Sequence, residues 1–119
     1  MQPNKVLVID DSTLMHRLFG ALLPKANLIH ALDGVEALSR LAEHPDADLV
    51  ILDINMPRMN GLEFLRQVKA DGALASIPVV IVSTEGKEED TVTGLRAGAA
   101  AYIRKPFQHR ELLDLIARL

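Results

Sequence analysis

The sequence predicts an α/β fold in which a doubly wound sheet of five parallel strands has helices on both faces. Three observations predict it. Short apolar runs alternate five times with stretches of helical spacing, and the connections between them are short. Several of the apolar runs end in polar residues, which would form a polar rim where the strands end. Because crossovers are right-handed, few topologies remain, and we expect the strand order 2-1-3-4-5.

The first half of the chain contains three predicted strands and two predicted helices. The strands are expected at residues 5–9, 28–31 and 49–52. The run from Leu49 to Leu52 is apolar without a break, as in a strand buried on both faces. Ser12 is the expected N-cap of the first helix, which Pro24 ends. Asp33-Gly34 predicts a turn before the short second helix, which Pro45 ends.

The second half contains the remaining two strands and three helices. Apolar residues from Leu62 to Val68 recur at helical spacing and predict the third helix. Ile77 to Val82 and Ala101 to Arg104 predict the fourth and fifth strands. Between them, Lys87 to Ala97 predicts a helix of low intrinsic propensity, because it contains β-branched residues and a glycine. An apolar stripe from Leu112 to Leu119 predicts the last helix.

Composition narrows the class of protein. The chain has 119 residues, 49% of them hydrophobic, so we expect one domain over residues 1–119 and no effector domain. It contains no cysteine, which excludes disulfides and thiolate metal sites. We expect a cytoplasmic protein without membrane insertion, because no apolar run has the length of a span. A net charge of −3 and only 3% aromatic residues argue against direct nucleic-acid binding. The histidines are interpreted as surface residues: His16, His30, His44 and His109.

Acidic residues follow two of the predicted strands. Asp10 and Asp11 end the first strand, and Asp53 ends the third. The order 2-1-3-4-5 makes these strands neighbours, so the three carboxylates should face one another across the crevice. Close carboxylates repel unless a cation joins them. Oxygen ligands with room for water suit Mg²⁺, so the sequence predicts a magnesium site.

A hydroxyl and an ammonium group end two further strands. Ser83 or Thr84 ends the fourth strand, and Lys105 follows the fifth. A metal ion and an ammonium group neutralise phosphoryl oxygens, while a hydroxyl donates a hydrogen bond to them. A carboxylate can accept a phosphoryl group as an aspartyl phosphate. These side chains therefore predict a phosphoryl-transfer site with Asp53 as the nucleophile.

This set of residues resembles the receiver domain of two-component response regulators. The resemblance extends from Lys5 to Leu119 and implies a flavodoxin-like (βα)5 fold, like that of single-domain chemotaxis regulators. The residues that support it are Asp10-Asp11, Asp53-x-Asn55-Met56-Pro57-x-Met59-x-Gly61, Ser83 and Lys105-Pro106-Phe107.

The resemblance implies a role for the charged residues and for one backbone carbonyl. Asp53 would be the phospho-acceptor and would also contact the metal. Asp10 and Asp11 would hold Mg²⁺, Asp11 directly and Asp10 through water. Asn55 would contribute its backbone carbonyl to the metal. Lys105 would pair with the phosphoryl oxygens.

The resemblance also implies switch residues and secondary positions. Ser83 would be the switch hydroxyl, in place of the commoner threonine, and Tyr102 the switch aromatic. Thr84 stands where the family usually has alanine or glycine, and its larger side chain would narrow access to the phosphoryl group. Glu85 occupies a position that tunes phosphate lifetime. The peptide bond before Pro106 resembles the family's cis bond.

The implied function is a phosphorylation-dependent signalling switch. A histidine kinase or phosphotransfer protein would supply the phosphoryl group. The protein would catalyse its own phosphorylation and slow dephosphorylation, without being a conventional enzyme. A downstream effector would bind the face formed by the fourth helix, the fifth strand and the fifth helix, and phosphorylation would allow homodimerisation.

Three alternatives use the same fold. A non-phosphorylated interaction module would be favoured by loss of an acid or the lysine, and this sequence keeps them all. A phosphohydrolase with an aspartyl nucleophile usually has a second acid two residues later, where this chain has Asn55. A flavin carrier needs a phosphate-binding loop after the first strand, where Asp10 and Asp11 would repel the phosphate.

Overall fold

The computed structural model describes residues 1–54, 56, 58–84 and 88–119. Strands and helices alternate through these residues. The strands are β1 (Lys5–Ile9), β2 (Asn27–Ala31), β3 (Leu49–Leu52), β4 (Val79–Ser83) and β5 (Ala101–Arg104). The helices are α1 (Thr13–Leu22), α2 (Gly34–Glu43), α3 (Gly61–Ala70), α4 (Glu88–Arg96) and α5 (His109–Arg118).

The five strands form one parallel sheet in the order β2-β1-β3-β4-β5, which confirms the predicted topology. Ile9 of β1 pairs with Leu52 of β3, and Leu52 pairs with Ile81 of β4. The last residues of β1 and β3 are therefore paired in register, so the residues that follow the two strands meet at the same edge of the sheet.

The core consists of two apolar layers, one on each face of the sheet. Phe64 is fully buried in the layer beneath α2 and α3, and Phe19 is buried in the layer beneath α1 and α5. Alternate residues of the central strands supply both layers, as the twofold repeat of a strand requires. All residues of β3 and β4 are buried, as expected for central strands of a parallel sheet.

Side chains cap the first three helices. Ser12 caps α1, as predicted, and accepts a hydrogen bond from the amide of Met15 at 3.4 Å. The predicted turn at Asp33-Gly34 is instead the start of α2, where Asp33 accepts from the amide of Glu36 at 2.8 Å. The cap of α3 is Asn60. Asparagine and aspartate favour both turns and caps, so composition alone did not distinguish the two.

Several element boundaries differ from the prediction by one or two residues; β2, for example, begins at Asn27 rather than at residue 28. Strand β4 begins at Val79 rather than Ile77, because Pro78 has no amide to donate to the ladder. Helix α4 ends at Arg96, and Gly98 follows with a φ of +111°, which confirms it as the predicted stop. The predicted start of α4, Lys87, lies outside the described residues. In the part of the chain that the structure describes, none of the helices has the length and apolar character to cross a bilayer.

Candidate functional site

Three carboxylates meet at the edge of the sheet where β1 and β3 end. Asp10 and Asp11 follow β1, and Asp53 follows β3, where its amide donates to the carbonyl of Ile9 at 2.9 Å. One carboxylate oxygen from each acid lies within 4.8 Å of the others. Asp10 and Asp53 are buried, whereas Asp11 is exposed. The structure therefore brings together the three acids that the sequence placed here.

Asp10 is held by hydrogen bonds at both carboxylate oxygens. Its Oδ1 accepts from the amide of Ser12 at 2.9 Å, and its Oδ2 accepts from Lys105 Nζ at 2.7 Å. Its own amide donates to the carbonyl of Ala31 at 3.1 Å. Charge-assisted hydrogen bonds of this length fix a carboxylate in place, so Asp10 is a preorganised member of the cluster.

The amine of Lys105 lies between two of the acids. Its Nζ is 2.7 Å from Asp10 and 3.7 Å from Asp53, and its side chain is only 14% exposed. The backbone amide of Lys105 donates to the carbonyl of Ser83 at 2.9 Å, which ties the end of β5 to the end of β4. The sequence predicts that Lys105 pairs with phosphoryl oxygens on Asp53. In the structure, the carboxylate of Asp10 is the nearer of its two acidic neighbours.

The two candidate hydroxyls differ in their surroundings. Ser83 is the last residue of β4 and is fully buried, while Thr84 is exposed. Thr84 lines an apolar cavity of about 370 Å³ together with Lys105, Phe107 and residues of α1. Thr84 is thus a neighbour of Lys105 in this cavity, and its effect on access to the phosphoryl group remains a prediction. The switch role of Ser83 remains a prediction.

Tyr102 lies in β5 and packs, half-buried, against the apolar layer that contains Ile81. A methyl group at Gly94 of α4 would come within 3.4 Å of the Tyr102 ring and 2.7 Å of Ile81 Cδ1. Gly94 thus allows α4 to approach the sheet closely, which gives a packing reason for a glycine that the sequence indicated only as a weak helix former. Whether Tyr102 switches stays a prediction.

Three further predicted positions have different outcomes. The peptide bond between Lys105 and Pro106 is cis, as the resemblance implied. Asn55, the predicted backbone ligand, and Glu85, the predicted tuning residue, lie outside the described residues. Their roles remain predictions.

His16, interpreted as a surface residue, is instead buried beside the acid cluster, where it pairs with His30, which is exposed as interpreted. His16 is buried, its Nδ1 lies 2.7 Å from Nδ1 of His30, and its Nε2 lies 2.8 Å from the carbonyl of Asp10. Partial burial, followed by the nearby charges of His16 and Arg40, lowers the pKa of His30. No sequence spacing indicated this pair, because α1 and β2 bring together residues 14 positions apart.

The donor set of the cluster fits a hard divalent cation. Carboxylate oxygens are ligands that Mg²⁺ prefers, with bonds of about 2.0–2.1 Å, so opposite oxygens lie about 4.2 Å apart. The oxygens of Asp10, Asp11 and Asp53 are already within 4.8 Å of one another. Small side-chain movements, or water between one acid and the ion, would complete such a site.

Comparison with known proteins agrees with this geometry. The family model of the response regulator receiver domain matches residues 6–117. The chemotaxis protein CheY1 of Helicobacter pylori is 40% identical over 113 residues, which cover 92% of this chain and 91% of that protein.

Solved structures show the same similarity. Chemotaxis protein CheY4 of Vibrio cholerae superposes with a TM-score of 0.88 at 32% identity, covering 97% of both chains. A chain of the CheX–CheY–BeF3–Mg²⁺ complex of Borrelia burgdorferi superposes with a TM-score of 0.91 at 31% identity, covering 98% of this chain and 88% of that one. The chain therefore belongs to the family of response regulator receiver domains.

Proposed function

We propose that this receiver domain is a phosphorylation-controlled signalling switch in which Asp53 accepts a phosphoryl group in the presence of Mg²⁺. The observation that carries the proposal is the cluster of three carboxylates with the amine of Lys105 beside it. A carboxylate nucleophile, a divalent cation and an ammonium group are the components that phosphoryl transfer needs.

The acid cluster would hold the metal ion. Asp10, Asp11 and Asp53 would contribute carboxylate oxygens, and Asn55 its backbone carbonyl. The ion would supply positive charge to offset repulsion between the carboxylates and an incoming phosphoryl group. The burial of Asp10 and Asp53 supports this role, because charges act more strongly where water is excluded.

Asp53 would perform the chemical step. One of its carboxylate oxygens would form the new bond to phosphorus while the bond from phosphorus to the donor's leaving atom breaks, and that atom keeps the electron pair. Lys105 needs to move little to reach a phosphoryl group on Asp53, since its Nζ is 3.7 Å from that carboxylate. Ser83 would donate a hydrogen bond to the same group.

We infer the phosphoryl donor and the output of the switch from membership of the family. A histidine kinase or phosphotransfer protein would supply the phosphoryl group, and a cytoplasmic location would give access to it. A downstream effector would bind the face of α4, β5 and α5, where phosphorylation would also promote dimerisation. Exposed apolar side chains on α4 support this face as a binding surface: Val92 (40%) and Leu95 (44%). The CheY protein in the Borrelia complex is itself bound to CheX in the presence of BeF3 and Mg²⁺.

Intact-mass measurement tests the proposal. The protein is incubated with Mg²⁺ and a small-molecule phosphodonor, and we expect the mass of one phosphoryl group to be added. Asp53→Ala should abolish the gain, whereas Asp114→Ala, which removes an exposed acid on α5, should leave it unchanged.

An equal gain in Asp53→Ala would move the acceptor elsewhere and contradict the proposal. Absence of any gain in the unaltered protein, with either a small phosphodonor or a histidine kinase, would favour the alternative of a non-phosphorylated interaction module on the same fold.

A further inference from the structure

Arg58 lies in the loop between β3 and α3, five residues after Asp53, in an unusual backbone conformation. Its φ is +62°, in the left-handed region that disfavours residues with a Cβ. Among the non-glycine residues that the structure describes, it alone has a positive φ. Such a conformation persists only where surrounding contacts hold it, so the contacts of Arg58 are informative.

The guanidinium group of Arg58 forms a two-pronged contact with Asp33, the cap of α2. Its Nε donates to Asp33 Oδ2 at 2.8 Å, and its Nη2 donates to Asp33 Oδ1 at 2.9 Å. Parallel hydrogen bonds from one guanidinium to one carboxylate add geometric specificity to the attraction of charge. The amide of Glu36 foremost, together with the Arg58 guanidinium, lowers the pKa of Asp33.

The residues that follow Asp33 and Arg58 join the start of α2 to the loop after β3 through the backbone. The amide of Gly34 donates to the carbonyl of Met59 at 3.3 Å. A methyl group added at Gly34 would lie 2.7 Å from that carbonyl oxygen and 2.8 Å from Met59 Cβ. The loop after β3 is therefore pressed against the start of α2, with no room for a side chain between them.

The other end of the loop is packed against the backbone of the phospho-acceptor. The amide of Gly61 donates to the carbonyl of Ile54 at 2.8 Å. A methyl group added at Gly61 would lie 2.5 Å from the carbonyl oxygen of Asp53 and 2.6 Å from Ile54 Cα. A shift of the loop at Arg58 would thus be transmitted to the backbone that carries Asp53.

We propose that Arg58 is a positioning residue, whose contact with Asp33 holds the loop after β3 and thereby sets the metal-binding and phosphoryl-accepting geometry at Asp53. The proposal rests on the proposed function. Arg58 itself is 58% exposed in its side chain and acts through the loop, without contacting the reacting atoms. A purely structural role would lower stability without altering the affinity of the site for cations.

Three variants separate the side-chain contact from the backbone conformation. Arg58→Asn removes the guanidinium but keeps a residue that tolerates a positive φ. Arg58→Lys keeps the charge but loses the two-pronged geometry. Asp33→Asn removes the charge of the partner while keeping an oxygen that can cap α2. The matched control is Arg66→Gln, which removes an exposed arginine from α3.

Mg²⁺ affinity is measured by titration calorimetry, and phosphorylation is followed by intact mass. We expect Arg58→Asn and Asp33→Asn to weaken Mg²⁺ binding on the order of tenfold and to slow phosphorylation similarly, because residues that orient metal ligands have effects of this size. Arg58→Lys should be intermediate, and Arg66→Gln should match the unaltered protein. Unchanged Mg²⁺ affinity in both Arg58→Asn and Asp33→Asn would overturn the proposal.

Hydrogen exchange at the amide of Gly61 provides a readout that does not depend on phosphorylation. If the contact holds the loop, this amide should exchange faster in Arg58→Asn and Asp33→Asn, by more than any change in the free energy of global unfolding accounts for. Exchange at the rate of the unaltered protein would overturn the proposal. If the unaltered protein fails to accept a phosphoryl group while the two variants show faster exchange, the proposed function would be contradicted and the role of Arg58 in the loop still supported.

Discussion

Lys105 is the residue on which the charge of the site depends most directly. Its amine contacts Asp10 at 2.7 Å and lies 3.7 Å from Asp53, and both acids are buried. Removing the amine would leave carboxylates that water cannot fully solvate, which costs more than the contact itself contributes.

We therefore expect Lys105→Met to lower the free energy of unfolding by about 1–3 kcal/mol without Mg²⁺, because it leaves buried carboxylate oxygens without their hydrogen-bond donor. Added Mg²⁺ should stabilise this variant more than the unaltered protein, since the metal no longer competes with the amine. Urea denaturation with and without MgCl2 measures both effects. Lys25→Met, at an exposed position, is the control. Equal unfolding free energies in Lys105→Met and Lys25→Met, with equal stabilisation by Mg²⁺, would contradict the expectation.

Because of the histidine pair, we expect the free energy of unfolding to depend on pH. Because folding lowers the pKa of His30, the unfolded chain binds more protons in the interval between the lowered pKa and 6.5. The contribution of His30 to stability is thus complete above pH 6.5 and is lost as the pH falls through that interval. His30→Gln should flatten the fall in unfolding free energy between about pH 8 and about pH 5. His109→Gln, which lies outside the pair, should leave this pH dependence unchanged. An unchanged pH dependence of the unfolding free energy in His30→Gln would refute this account.

Single residues also mark the limit of what the sequence predicts. Asp10, Asp11, Asp53 and Lys105 could be placed together because each follows a strand, and strand ends meet at one edge. The pairing of His16 with His30 could not be predicted, because it depends on how α1 lies against β2. The contact between Arg58 and Asp33 likewise joins two loops through tertiary packing alone.

At the scale of elements, close approach of backbones decides where glycine is required. Gly20 lies within α1 and a Cβ there would meet nothing within 4 Å, whereas a Cβ at Gly61 would meet the backbone of Asp53 and Ile54. Both glycines are helical, Gly20 inside α1 and Gly61 at the first position of α3, but helix propensity does not describe the backbone atoms that Gly61 faces.

The same substitution should therefore have opposite effects at these two positions. Gly20→Ala should stabilise the protein by about 0.5–1 kcal/mol, because alanine loses less backbone entropy in a helix. Gly61→Ala should destabilise it by about 1–3 kcal/mol, since the obstructing atoms are backbone and cannot rotate away. Urea denaturation measures both values, and Gly20→Ala serves as the control for Gly61→Ala. Stabilisation by both would refute the packing argument.

Element type and order followed from periodicity, but contacts that shape element ends did not. The sequence predicted every strand and helix, yet it interpreted Asp33-Gly34 as a turn and started β4 at Ile77. In α4, Gly94 counted only as a weak helix former, whereas Ile81 and Tyr102 lie directly beneath it. Propensity describes a residue with its chain neighbours, and these positions are determined by other elements.

For the molecule as a whole, one sheet separates two apolar layers that share its central strands. Phe19 belongs to the layer beneath α1 and α5, and Phe64 to the layer beneath α2 and α3. Both are almost completely buried. The two layers should therefore unfold together while responding independently to changes in packing.

A double-mutant cycle tests this independence. Phe19→Leu and Phe64→Leu should each lower the unfolding free energy by about 1–2 kcal/mol through lost burial and residual cavities. Because the sheet lies between the two side chains, their effects should add within about 0.5 kcal/mol. Urea denaturation should give a single transition in every variant. A second transition, or strong non-additivity, would show that the layers are not organised in this way.

The net charge of the acid cluster and Lys105 bears on the charge of the ion that would bind there. By formal charge, the group of Asp10, Asp11, Asp53 and Lys105 has two excess negative charges, because it contains three acids and one base. A divalent cation brings this group to neutrality. A monovalent ion would leave one negative charge in a poorly hydrated place, and a trivalent ion would leave one positive charge. If the cluster binds a metal ion as proposed, this charge balance would favour divalent ions over monovalent and trivalent ones.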